Sequence, residues 1–241
     1  MIYETDLLTL DSKVSAPEGI VYSTSPRRAE GQDGASYFIK GPEVEVVFPE
    51  LAGCSFATEV GLVVPAIAVC SFGDEKYCGS RKVADSLRDV AAWLHRPQKI
   101  SNAGDLFSVI VVDAWLANND RNFGNILGRS TRGSEIEVVM IDFEKSTALR
   151  PNPIVGSAMV NPDSLWPTGE LGQVLRRTKP LHPPQPIIER IAQVTKERCA
   201  EIINEVVSKL GPVAWADNSI EAVSRRAVRI SEIAGEVWRR N

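Results

Sequence analysis

The sequence predicts an α+β fold in which a β-rich first part carrying one helix precedes a mainly helical second part. Three observations lead to it. In the first hundred residues, short β-branched or aromatic runs at 20–23, 36–40, 44–48 and 65–70 sit between glycines and prolines, as strands do. From about Ala84 the apolar residues recur at the helical period instead. At 241 residues, 44% hydrophobic and 24% charged, the chain can bury a core without disulfides or a structural metal.

One helix interrupts the β-rich part. Pro49 suits a first helical turn, and Leu51, Cys54, Ser55 and Thr58 follow at helical spacing until Gly61. Ala84, Leu87, Val90, Ala91 and Leu94 mark a second helix, ended by Pro97. Residues 105–118 are apolar nearly all round, as a buried helix is. A polar loop at 119–125 and short strands around 126–127 and 136–141 follow. Eight prolines between 150 and 186 predict a long irregular connection, of the kind that usually carries function. Ile187, Ile191, Val194, Ile202, Val206 and Leu210 then define one helix, ended by Gly211-Pro212. Asn218 with Glu221 makes a capping box for the last, whose stripe is Ile220, Val223, Ile230, Ile233 and Val237. The change of pattern divides the chain into residues 1–97 and 98–241, and a cleft at such a junction is the default ligand site.

Charge and cysteine usage exclude several classes. With 27 basic against 31 acidic residues, the net charge of −4 offers no bulk attraction for nucleic acid or an anionic membrane. Cys54, Cys70, Cys78 and Cys199 form no Cys-x-x-Cys pair, and His95 and His182 are the only histidines. Free thiols in a reducing compartment fit this better than disulfides or zinc. The first ten residues carry Glu4 and Asp6 and lack a signal-peptide profile. No apolar stretch approaches the ~18 residues of a spanning helix. The expectation is a cytoplasmic protein with no membrane and no direct nucleic-acid partner.

The most informative stretch reads Asp113-Ala-Trp-Leu-Ala-Asn-Asn119-Asp120-Arg121-Asn122-Phe-Gly-Asn125-Ile-Leu127: a buried helix, a sharply polar loop, an apolar strand. Asp142 follows at the end of the next apolar strand. Phosphoryl transfer needs its reactants aligned and their charge neutralised more than it needs covalent help. A loop carboxylate such as Asp120 can accept a hydroxyl proton. The amide oxygen of Asn125 and the carboxylate of Asp142 are the hard donors that magnesium takes. Asp120 and Asn125 also suit a turn in which they cap one another.

Upstream, Gly31 and Gly34 with Ser36 could turn backbone N–H groups toward phosphate oxygens, although any hairpin looks similar. Lys40 ends the strand that follows, where a solvated lysine is equally at home. Ten residues on, Glu50 in the first turn of the helix could pair with Lys40 or serve the helix dipole, with Glu59 a weaker rival for the pairing.

In chain order these features, together with Glu59-Val-Gly-Leu-Val-Val-Pro65 and Ile141-Asp142-Phe143-Glu144, resemble the HipA-like kinase domain in its compact, stand-alone form. The Asp-Arg-x-x-x-Asn order is shared with the phosphatidylinositol kinases. The resemblance spans about residues 30–145 and is sharpest at 113–127 and 138–143.

The resemblance implies a bilobal protein-kinase-like fold, with residues 1–97 as the β-rich N-lobe and 98–241 as the helical C-lobe. It implies ATP and Mg2+ as cofactors. Lys40 would contact the ATP phosphates with Gly31, Gly34 and Ser36, and Glu50 would orient Lys40. Asp120 would be the catalytic base, Asn125 and Asp142 the magnesium ligands, and Arg121 a brace or an ion-pair partner. Glu144 stands where the Asp-Phe-Gly motif has its glycine. Residues 77–81 would form or lead into the segment joining the lobes. Implied partners are a protein Ser/Thr substrate, bound around 150–186 where Ser157, Ser164, Trp166 and Thr168 lie, and an antitoxin-like protein if the chain is the toxin of a pair.

Two other functions compete. A lipid or small-molecule kinase shares the chemistry, but the chain lacks the basic face that anionic lipids want. It also has Asn-Asp-Arg where aminoglycoside kinases have His-Gly-Asp. A nucleotide-binding pseudokinase or interaction module would typically have lost Lys40, Asp120 or Asp142, and all three are present.

Overall fold

The computed structural model describes residues 2–13, 27–84, 86–87, 99–131, 135–153 and 169–239. The expected strand at 20–23, His95, and Ser157, Ser164, Trp166 and Thr168 lie outside them.

The strands β1 (Tyr3–Lys13), β2 (Arg27–Gly31), β3 (Ser36–Lys40), β4 (Ile67–Phe72) and β5 (Glu75–Arg81) close into a barrel in the order β1-β2-β3-β5-β4. Closure comes from the parallel pairing of β1 with β4, Tyr3 opposite Ala68 through Asp6 opposite Ser71, while the other neighbours are antiparallel. Phe72 and Glu75 pair across a two-residue turn, and Gly73 at φ +62° supplies the left-handed backbone such a hairpin needs. Side chains alternate along β3. Tyr37 and Ile39 enter a buried cluster with Leu7, Ala29, Ala68, Cys70 and Tyr77, while Ser36, Phe38 and Lys40 face away from it. Residues 77–81 thus belong to β5 and end at a cavity described below.

The helix α1 (Val44–Glu59) begins where the sequence pattern predicts a strand at 44–48. Pro49 is its sixth residue and Glu50 its seventh, so neither lies in the first turn. Burial overrides the β propensity of Val44, Val46 and Val47, because Val47, Phe48, Leu51 and Cys54 are wholly enclosed by the core. The three-stranded antiparallel sheet β6 (Ser86–Leu87), β7 (Ile126–Ser130) and β8 (Ile136–Met140) holds another departure. Ser86 and Leu87, placed by sequence in a helix, pair with Arg129 and Gly128 instead. The stretch from there to 98 lies outside the described residues.

α2 (Asp105–Leu116) is buried nearly all round, as its composition predicts. The connection expected to be irregular contains α3 (Gly169–Thr178), a segment free of the prolines that flank it. The single helix expected over 187–210 is two, α4 (Gln185–Ala192) and α5 (Lys196–Leu210), because the Thr195 hydroxyl accepts from the Arg198 N–H at 3.2 Å and starts a new helix. The last helix also divides, into α6 (Ala216–Val228) and α7 (Ile230–Arg239). It begins before Asn218, so Asn218 and Glu221 lie inside it and form no capping box.

A large apolar cluster joins α1 and α2 to α4–α7. Trp115 packs edge-to-face on Phe56 at 5.2 Å and donates its indole N–H to the Val223 carbonyl at 3.0 Å. Phe48 meets Trp215 the same way at 5.9 Å. Arg226, which burial pulls down to about 10, donates to the carbonyls of Trp115 and Ala114, supplying a cation to the last turn of α2. α5 ties the β-rich part on: Arg198 grips Glu59 with two bonds at 2.9 and 2.8 Å, and Lys209 donates to the Ile2 carbonyl at 2.7 Å. The four cysteines are free and buried, as expected. Among the described residues no helix is long and apolar enough to cross a membrane.

Trp115→Ala is expected to cost about 3–5 kcal/mol, read from urea unfolding. A loss below about 1 kcal/mol would show that this packing does not hold α2.

Candidate active site

The outward face of β3 delivers Lys40 to a buried cluster of carboxylates. Its ammonium lies 2.7 Å from Asp142, 3.2 Å from Glu50 and 3.3 Å from Glu144. Glu50 comes from α1 and is 1% exposed, and Glu144 is fully buried. Asp142 follows β8 and holds a left-handed backbone at φ +67°, which turns its carboxylate back toward β3. Glu50 also accepts from the Phe143 N–H at 2.8 Å, so one carboxylate fixes both the lysine and the Asp142-Phe143 turn. Glu59, the rival partner, is taken by Arg198 instead.

The electrostatics follow from burial. Burial alone would pull the Lys40 ammonium down, but Asp142, Glu50 and Glu144 hold it well above the ordinary lysine value. Burial pushes the Glu50 carboxyl up, against the pull of Lys40. For Asp142 burial acts in the same upward sense, and Lys40 and Arg121 outweigh it, leaving its carboxyl below the usual range.

A second buried pair builds the loop. Arg121 forms two bonds with Asp113 of α2, at 2.8 and 2.9 Å, and donates to the carbonyls of Asn125 (3.0 Å) and Ile141 (2.6 Å). Its guanidinium lies 4.8 Å over the Phe143 ring. Arg121 is therefore brace and ion-pair partner together. Asn125 donates its amide to the Asp120 carbonyl at 2.6 Å, and Asn122 does so at 3.0 Å, which pins the backbone at Asp120.

A cavity of about 100 Å³, open to solvent, is lined by Lys40, Glu50, Asn125 and Asp142. Its apolar walls are Phe38, Pro65, Val83, Leu127 and Ile141. The structure thus brings Lys40, Glu50, Asn125 and Asp142 together and places Asp120 on the loop beside them. The donor set fits magnesium: with its amide N–H engaged, Asn125 presents a hard oxygen, and Asp142 a carboxylate, on the same cavity wall. Among the described residues no group of three or more His, Cys, Asp or Glu forms a metal cage. A nucleotide-bound magnesium asks for one or two carboxylates and the phosphates, not a cage.

Gly31, Gly34 and Ser36 are not on this cavity wall. The Gly31 N–H bonds Ala35, the Gly34 N–H bonds Gly31, the Gln32 N–H bonds Asp6, and the Ser36 hydroxyl bonds Glu30. The hairpin and the neighbouring β1 take up these N–H groups that sequence offered to phosphate. Sequence reasoning passed over the apolar walls, the third carboxylate on Lys40, and Gly53. A side chain on Gly53 would strike Phe143, so α1 packs flat on the Asp142-Phe143 turn. Two signals were available: Phe38 lies two residues from Lys40 on the same strand face, and Asp113 is a carboxylate inside an apolar helix.

No family model matches the chain, and no curated protein matches its sequence. Among solved structures, it is similar to the Helicobacter pylori proinflammatory kinase CtkA, at 13% identity and a TM-score of 0.55, over 99% of each chain. The chain has a kinase fold. The resemblance read from the sequence therefore holds at the level of architecture. A chain of the Shewanella oneidensis MR-1 HipA–HipB toxin–antitoxin complex with operator DNA matches at 14% identity and a TM-score of 0.49, over 91% of this chain and 65% of that one.

Gly53→Ala should lower stability by about 1–3 kcal/mol by driving Phe143 off α1. An unchanged denaturant midpoint would mean that the turn gives way freely. Lys40→Met removes the cation that pulls on both Glu50 and Asp142, so the folded state then favours the protonated forms of these two carboxyls. The wild type has the opposite sign at Asp142, whose lowered value contributes stability above the usual carboxylate range and loses it as pH falls through the folded value. The deficit of Lys40→Met should therefore be largest above the usual carboxylate range and shrink as pH falls through it, from about pH 5 to about pH 3, and a deficit independent of pH would contradict the charge cluster.

Proposed function

We propose that the chain is an ATP- and magnesium-dependent phosphotransferase of HipA-like type, acting on the hydroxyl of a protein serine or threonine. The observation that carries this reading is the convergence of Lys40, Glu50, Asn125 and Asp142 on one cavity with apolar walls. In this reading the molecule works as two lobes, residues 1–97 and 98–241, meeting at that cavity. The separate apolar cluster inside the barrel supports such a division. A toxin role with an antitoxin-like partner rests on the sequence resemblance alone and belongs to the same proposal, as does a cytoplasmic setting.

Phe38, Pro65, Val83, Leu127 and Ile141 enclose the base, and Lys40 meets the phosphates. Asn125 and Asp142 would hold magnesium, which supplies charge neutralisation on the phosphates. Asp120 takes the proton of the acceptor hydroxyl as its oxygen bonds to the γ-phosphorus. The bond from that phosphorus to the β,γ-bridging oxygen breaks, and ADP leaves. Of the competing readings, the pseudokinase is disfavoured because Lys40 and Asp142 are in contact and Asp120 is retained.

Incubation of the wild type with γ-labelled ATP and magnesium in cell lysate should label a protein band. Asp120→Asn should cut the rate roughly 10²–10⁴-fold while largely keeping ATP affinity, and Asp142→Ala should lose that affinity. Equal labelling by wild type and Asp120→Asn would remove the role given to Asp120.

A further inference from the structure

We infer that Cys54 is a positioning residue for Glu50. Its thiol donates to the carboxylate oxygen that neither Lys40 nor the Phe143 N–H engages, and so fixes which face of the carboxylate turns to the lysine. The inference rests on the nucleotide reading above and adds a residue that stands behind the cavity wall.

Glu50 is buried, so its carboxylate depends on the protein for its hydrogen bonds. A carboxylate accepts at both oxygens. Lys40 at 3.2 Å and the Phe143 N–H at 2.8 Å both bond Oε2. Among the described residues Oε1 has one donor, the Cys54 thiol at 3.8 Å. Residues four apart on a helix share a face, so α1 itself brings this thiol to the carboxylate. The neighbouring hydroxyls of α1 behave differently: Ser55 donates to the Leu51 carbonyl and Thr58 to the Cys54 carbonyl. Cys54 is wholly enclosed, and burial with the Glu50 charge pushes its thiol well above the usual value, so it keeps the proton it donates. The Oε2 contacts hold the lysine and the Asp142-Phe143 turn at once. Without the thiol, nothing distinguishes the two oxygens, and rotation of the carboxylate loosens both contacts together.

Packing and hydrogen bonding rank the substitutions in opposite orders. In an apolar enclosure a hydroxyl is a cost, so packing alone favours valine over threonine and alanine over serine. A donor role favours threonine and serine. Cys54→Thr and Cys54→Val have nearly the same shape, and Cys54→Ser with Cys54→Ala covers the case in which a branched side chain prevents folding. Calorimetric titration with ATP and magnesium should show Cys54→Val and Cys54→Ala binding roughly 3–10-fold more weakly than the wild type, with the hydroxyl variants close to it. Amide hydrogen exchange at Phe143 reads the same positioning without nucleotide. It should speed up in the valine and alanine variants and stay slow in the hydroxyl ones. Affinity and exchange that are unchanged in Cys54→Val and Cys54→Ala, or worse in the hydroxyl variants, overturn the role of Cys54 and leave the nucleotide reading standing. A wild type that binds no ATP, with Phe143 exchange still following the donor, overturns the nucleotide reading and leaves Cys54 positioning Glu50.

Discussion

The rest of the site depends on one buried charge, the ammonium of Lys40. A buried cation survives only with partners, and this one draws three from two places: Glu50 on α1, and Asp142 and Glu144 on the turn after β8. Satisfying Lys40 therefore fixes where α1 lies against the barrel and how the chain turns after Ile141. The left-handed backbone at Asp142 and the bare surface of Gly53 are the local conditions that let the turn come this close.

The Asp113–Arg121 pair does for the second half what Lys40 does for the first. It buries a carboxylate of α2 and a loop guanidinium together, and the Nη1 group of Arg121 donates to the Asn125 and Ile141 carbonyls. Asp120 and Asn125 are thus carried by a loop with a rigid floor, and Arg226 holds the helix behind it. Phe143 links the two systems, its N–H bonded to Glu50 and its ring under Arg121. A catalytic constellation held within a fraction of an ångström needs such support.

Much of this was legible in the sequence because local pattern and tertiary demand agree there. The strand 36–40, the buried helix from Asp105 and the Asp120–Asn125 loop appear as their residues predict. Legibility fails where burial overrides propensity, as at 44–48, where valines that favour strands fill the first turn of α1. It fails again where one side chain decides, as when Thr195 divides a helix whose apolar period runs straight through. Gly31 and Gly34 show a third limit. A glycine hairpin is visible in sequence, but whether its N–H groups bond to each other or face outward depends on the register of β2 with β3. Gly53 has no sequence signal of its own, and Glu144 shows only as a departure from the Asp-Phe-Gly pattern, since the significance of both lies in what the fold brings against them.

The most direct measurement is a crystal structure with magnesium and a non-hydrolysable ATP analogue. The account predicts the base between Phe38 and Leu127, the metal on Asn125 and Asp142, and Lys40 moved from Asp142 onto a phosphate oxygen while Glu50 stays with it. An analogue bound away from this cavity, or a Lys40 still closed on Asp142 beside a bound nucleotide, would contradict it.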